Sequence, residues 1–98
     1  MESLTELVVR ARAGDVEACG ELVRATQTMA CAVARGVLRD PASAQDAVQQ
    51  AYLRAFRRLG TLQDPAAFAG WLRRIVITVA SNMRRAKRFT LLQLDEIT

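Results

Sequence analysis

The sequence predicts an all-α protein, a compact bundle of about four helices, and three observations predict it. Apolar residues make up 51% of the chain but are mostly Ala, Leu and Val, with five aromatics, five Gly and two Pro, a composition that favours helices over sheet. They recur at intervals of three and four residues, the spacing of one helical face. Capping residues and Gly or Pro breaks then divide the periodic runs into four. Ninety-eight residues suffice for one domain, and at that size stability must come from a single shared core.

Ser3 is placed to cap a first helix, since Glu6 three residues on completes a capping-box pattern and Leu4, Leu7, Val8 and Ala11 form an apolar stripe ending near Gly14. Asp15 can cap a second helix to about Leu38, with Ala18, Leu22, Ala25, Met29, Ala32, Val33, Gly36 and Val37 as its apolar face. Arg39-Asp40-Pro41 breaks that run, and Ser43 with Asp46 gives another capping-box arrangement for a third helix to about Leu59. Its inner face is Val48, Ala51, Tyr52, Ala55, Phe56 and Leu59. Its outer face gathers Asp46, Gln49, Gln50, Leu53 and Arg57, so one large apolar side chain stands in a polar patch.

After the turn Gly60 to Pro65, Asp64 caps a fourth helix, with Pro65 at its first position, where the missing N–H costs nothing. Phe68, Leu72, Ile75, Val79, Met83 and Ala86 fall on one side of it, with Trp71 and Val76 at the edges. The opposite side is a stripe of Arg74, Thr78, Ser81, Arg85 and Arg88, flanked by Arg73, Ile77 and Arg84. Residues 89–98 then turn β-branched and acidic, which predicts a bundle over residues 1–88 and a linker over 89–98 leading to a domain outside this chain.

The net charge of +4 is unevenly spread. Residues 1–50 carry −2, residues 51–88 carry +8 and residues 89–98 carry −2. A basic block in one half points to a polyanion partner, most often nucleic acid. The absence of His, the scattered acids and the lack of a nucleophile beside a base argue against an enzyme, and no cofactor or metal is expected. Cys19 and Cys31 would lie about 18 Å apart on one helix, too far to bridge, and are expected to be ordinary buried thiols. With neither a membrane-spanning run nor a signal-peptide start, the chain is expected in the cytoplasm, and a basic helix lying on a membrane fits poorly with Thr78 and Ser81 in its stripe.

The run DPASAQDAVQQAYLRAFRRLGTLQDPAAFAGWLRRI carries Asp46-x-x-Gln49, Tyr52, Phe56, Leu59, an Asp-Pro turn, Phe68, Trp71-Leu72 and Arg74-Ile75. In order and spacing it resembles the core-binding and promoter-melting domain, region 2, of extracytoplasmic-function (ECF) bacterial sigma factors. That resemblance implies that Asp46, Gln49, Gln50 and Leu53 dock on the clamp helices of RNA polymerase. It also implies that the turn and fourth helix recognise and melt the promoter −10 element through its non-template strand. Leu62, Gln63, Asp64, Thr78, Ser81 and Asn82 would then read bases, while Arg73, Arg74, Arg85 and Arg88 hold phosphates. Two positions depart from the family pattern. Gln50 stands where many relatives carry an acid, and Thr78 where many carry Asn, whose amide makes a more selective contact to a base edge than a hydroxyl.

Trp71 has two readings, a core anchor or a platform for an exposed base. An anti-sigma partner, common in that family, would have to hide the outer face of the third helix, the basic stripe of the fourth, or both. The alternative to promoter reading is a sigma-derived interaction module that binds a regulator without specific DNA recognition.

Overall fold

Side-chain caps set where the helices begin. The computed structural model describes residues 2–97, with side-chain surroundings for 2–96; Met1 and Thr98, the outermost residues of the two expected segments, lie outside it. Ser3 Oγ accepts the Glu6 amide at 3.1 Å and opens α1, Leu4–Arg12. Gly14, at φ 97°, lets the chain reverse, with its own amide on Ala11 O and that of Asp15 on Arg10 O, the left-handed helix ending that favours glycine. Asp15 then does two things. One carboxylate oxygen accepts the Glu17 and Ala18 amides to open α2, Val16–Val37, and the other accepts Arg10 Nε and Nη2 at 2.9 and 2.7 Å. The Arg10 hydrogen bond holds the Asp15 carboxyl below the usual carboxylate range.

The third helix, α3, spans Pro41–Arg57, and its cap is Asp40, not Ser43. Pro41 occupies the first turn, and Asp40 Oδ2 accepts both the amide of Ser43 at 3.2 Å and its hydroxyl at 2.6 Å. Ser43 lies inside that first turn, and its hydroxyl is a donor to the capping carboxylate. Two single 3₁₀ turns follow, Leu59–Thr61 and Pro65–Ala67, the second capped by Asp64. The last helix, α4, runs Phe68–Ile97, thirty residues and about 45 Å. It does not end near Arg88 as its change of composition predicted.

The core gathers between α2, α3 and the first half of α4, with α1 packed on α2 and on the Pro65–Ala67 turn. Phe68, Leu22, Leu72, Val8 and Val76 are its largest fully buried side chains, each stabilising the fold by roughly 1.5–3 kcal/mol. Alanines at 30, 34, 44, 47, 51, 55 and 80 fill the spaces between them. On α2 the buried stripe is Ala18, Leu22, Thr26, Ala30 and Ala34, whereas the expected Ala25, Ala32 and Gly36 are exposed. The true stripe passes through a polar residue. Thr26 can be buried because its hydroxyl donates to Leu22 O at 2.7 Å and meets the Tyr52 hydroxyl of α3 at 2.6 Å. On α4, Ala86 is exposed and Val76 is central instead of marginal, so the packed face is rotated towards Val76 and Ala80. Cys31, expected to be buried, is exposed, and Cys19 is half-buried.

The Thr26–Tyr52 contact joins α2 to α3 and is testable. Thr26→Val strands the tyrosine hydroxyl, whose remaining neighbour Val23 O lies at 3.5 Å, and is expected to cost about 1–3 kcal/mol in urea unfolding. Tyr52→Phe leaves the Thr26–Leu22 bond intact and should cost less.

Candidate functional site

Burial of Phe68, Leu72, Val76, Val79 and Ala80 fixes which way the rest of α4 faces. Arg74, Thr78, Arg85 and Arg88 are exposed on the far side, and Ser81 is half-buried among them. Asn82 is exposed as well, its Oδ1 accepting Arg85 Nη2 at 3.0 Å.

Two adjoining clefts lie where α4 meets the turn and the end of α3. One, of about 360 Å³, is lined by Leu62, Ala67, Gly70, Trp71 and Arg74. The other, of about 210 Å³, is lined by Arg54, Arg58, Trp71, Arg74, Ile75 and Thr78. Trp71 and Arg74 belong to both. The indole packs against Phe68, centroids 6.0 Å apart, yet it is only half-buried. It therefore serves as a core anchor and as a cleft wall, and the two readings of Trp71 do not exclude each other. A wall of guanidinium groups, one hydroxyl and an aromatic surface can hold phosphates and stack a base.

Arg54 and Arg58 are not evident as site residues from the sequence. They lie four residues apart at the end of α3, Arg58 as the residue that follows it, and only the crossing of α4 brings them beside Thr78. Their spacing was a signal, but the face it marked had no expected neighbour.

Other expected residues separate. Arg73 sits on the α2 flank with Ile77, over Ala32, Val33, Gly36 and Val37, so it does not join its sequence neighbour Arg74. Arg84 and Lys87 line a hollow with residues 36–40. Lys87 donates to Ser43 Oγ and lies 3.7 Å from the Asp40 carboxylate, tying α4 to the α3 cap. The Ser43 hydroxyl holds the Asp40 carboxyl below its usual range, with a smaller contribution from the Lys87 charge. In the turn, Gln63 and Asp64 are exposed, with Asp64 Oδ1 engaged by the Ala66 amide at 3.0 Å. Leu62 differs from its neighbours in the turn. It is 5% exposed and packs into the core, because the 3₁₀ turn before it points its side chain inward and leaves only an edge for the cleft.

A second surface lies on the outer face of α3. Asp46, Gln49, Gln50 and Leu53 are all exposed there, one helical turn apart in pairs, and Leu53 keeps 58% of its surface. Gln50 Nε2 donates to Asp46 Oδ2 at 3.1 Å. The Gln50 amide thus orients the Asp46 carboxylate.

Comparison with known proteins bears on the family of the chain as a whole. Residues 22–90 match the family model for sigma-70 region 2. The chain is 41% identical over 78 residues to a protein named probable RNA polymerase sigma factor RfaY from Xanthomonas campestris, covering 80% of this chain and 20% of that one. It is 36% identical over 77 residues to RNA polymerase sigma-H factor of Pseudomonas aeruginosa, covering 79% and 40%. It is 34% identical over 96 residues to the ECF sigma factor SigM of Mycobacterium tuberculosis, covering 97% and 49%. The chain thus spans between a fifth and a half of the length of these relatives. No solved structure matches it significantly.

If the cleft cations hold a polyanion, replacing Arg54 and Arg58 together by Ala should weaken single-stranded oligonucleotide binding. The slope of log affinity against log salt should flatten by about 0.7 for each phosphate no longer neutralised. Fluorescence anisotropy across a salt series measures both, and an unchanged slope would show that these arginines do not touch the strand.

Proposed function

Because the chain belongs to the sigma-70 region 2 family, in its ECF branch, we propose that it is the part of a transcription initiation factor that docks on RNA polymerase and reads the promoter −10 element. Docking would use Asp46, Gln49, Gln50 and Leu53 against the clamp helices of the largest subunits. An exposed leucine ringed by polar side chains has the apolar centre and polar rim of a protein interface. The role is binding, without catalysis.

Strand reading would fall to the paired clefts, and their shared wall of Trp71 and Arg74 is the observation that carries this. Arg54, Arg58 and Arg74 would hold the non-template backbone, with Arg85 and Arg88 extending the track along α4. Thr78, beside those cations, would contact a base, helped by Gln63, Asp64, Ser81 and Asn82. Phosphate contacts supply affinity and register, and base contacts supply sequence preference. A strand whose bases are unstacked presents faces to Trp71 that a duplex hides, so binding would favour the melted state and draw the promoter open. Thr78 offers a hydroxyl where the family pattern often has an amide, which narrows the contact it can make. An anti-sigma partner would silence the domain by covering either surface. The acidic, leucine-rich end of α4 would lead on towards a further domain.

The two surfaces are separable by mutation. Leu53→Asp is expected to abolish binding to polymerase core at concentrations where the parent saturates, and to leave oligonucleotide affinity within about twofold, since an exposed substitution rarely disturbs the fold. Arg54→Ala with Arg58→Ala should do the opposite. Loss of both activities in either variant would contradict the assignment. Equal affinity for −10-like and scrambled strands would leave the interaction-module reading in its place.

A further inference from the structure

The far end of α4 carries a pattern of which the surfaces above use only Arg85. Beyond Met83 every side chain described on this helix is exposed, and Phe89, Leu91, Leu92 and Leu94 keep between 53% and 64% of their surface. Arg85, Phe89, Leu92 and Glu96 are spaced by four, three and four residues. At about 100° per residue they fall within a sector of roughly 60°, on the side of α4 away from the core. This is the spacing of a coiled-coil seam.

The seam is complementary to itself. When two such helices run antiparallel, with the twofold axis between residues 90 and 91, Arg85 of one copy faces Glu96 of the other. Phe89 faces Leu92 in the same register. All four positions then form two ion pairs and two apolar pairs, with no like charges opposed. A symmetric interface requires one patch to match itself in this way.

We infer that a second copy of this chain is the occupant of this face, through antiparallel pairing of residues 85–96. The contact spans about 17 Å of helix and buries less than the roughly 1,000 Å² of a stable interface, so the dimer is weak and forms at high protein concentration. It leaves Leu91 and Leu94, on the other side of the helix, outside the seam. Pairing also covers Arg85, so a bound strand and a second copy exclude each other there; that consequence rests on the function proposed above, whereas the pairing does not.

Sedimentation equilibrium of the 98-residue chain over a wide concentration range tests it, with no nucleic acid present. The chain should show a monomer–dimer equilibrium, and Leu92→Asp should raise its dissociation constant at least about tenfold. Arg85→Glu alone and Glu96→Arg alone should each weaken pairing, because each sets like charges opposite one another. Combining them in one chain should restore it, and mixing the two single variants should give a heterodimer. A chain that stays monomeric at the highest concentration overturns the inference. So does a dimer unaffected by Leu92→Asp, or a double variant no better than the single ones. Circular dichroism of each variant, showing unchanged helix content, excludes unfolding as the cause of a loss.

Discussion

The insertion of Phe68, Leu72 and Val76 between α2 and α3 determines where every other residue of α4 faces. A helix has one rotation about its axis, and once these side chains are buried, Arg74, Thr78 and Arg85 have no choice but to face away. Trp71, one residue before Leu72, lies at the edge of the packed side and becomes the wall shared by two clefts. The same packing places Arg73 on the opposite flank from Arg74. A core of alanines allows this, because small side chains let helices approach until the larger ones on one helix reach across to the next.

Around that core the polar interactions are few and placed at joints. Asp15 joins α1 to the start of α2, Thr26 and Tyr52 join α2 to α3, and Asp40 with Ser43 and Lys87 joins α3 to α4. Exposed ion pairs contribute little to stability by themselves. Their effect is on register, since each fixes one element against the next where apolar packing alone would allow sliding. Lys87 ties α4 to the body at the α3 cap. Past it the helix extends exposed, which accounts for a molecule 56 Å long but only 23 by 20 Å across.

Much of this was legible in the sequence because the signals are local. Ser3, Asp15 and Asp64 announced their caps through residues two or three positions away, and the exposure of Leu53 followed from its place among polar neighbours at helical spacing. What escaped depends on partners distant in sequence. Thr26 is buried because a tyrosine 26 residues on pairs with its hydroxyl, and Arg54 and Arg58 reach Thr78 only through the crossing of two helices. Leu62 lay in a segment rich in turn residues, yet the 3₁₀ geometry turns it inward. The end of α4 was misjudged for a different reason. Thr90 and the acids suggested a change of state, but Leu91, Leu92, Gln93 and Glu96 are good helix formers and no Gly or Pro interrupts them.

Of the fourteen cations in the chain, the proposed strand path engages those on one side of α4 and bypasses those on the other. Charge alone would not distinguish them, since any of them attracts phosphate. Mapping amide chemical-shift changes by NMR, with a −10-like non-template oligonucleotide and with a scrambled one, tests that division directly. Saturable changes are expected with the first strand, confined to Arg54–Asp64, Trp71, Arg74, Thr78, Ser81, Asn82, Arg85 and Arg88, and much weaker ones with the second. Changes centred on the α2 flank around Arg39 and Arg73, or the same pattern and strength with both strands, would contradict it.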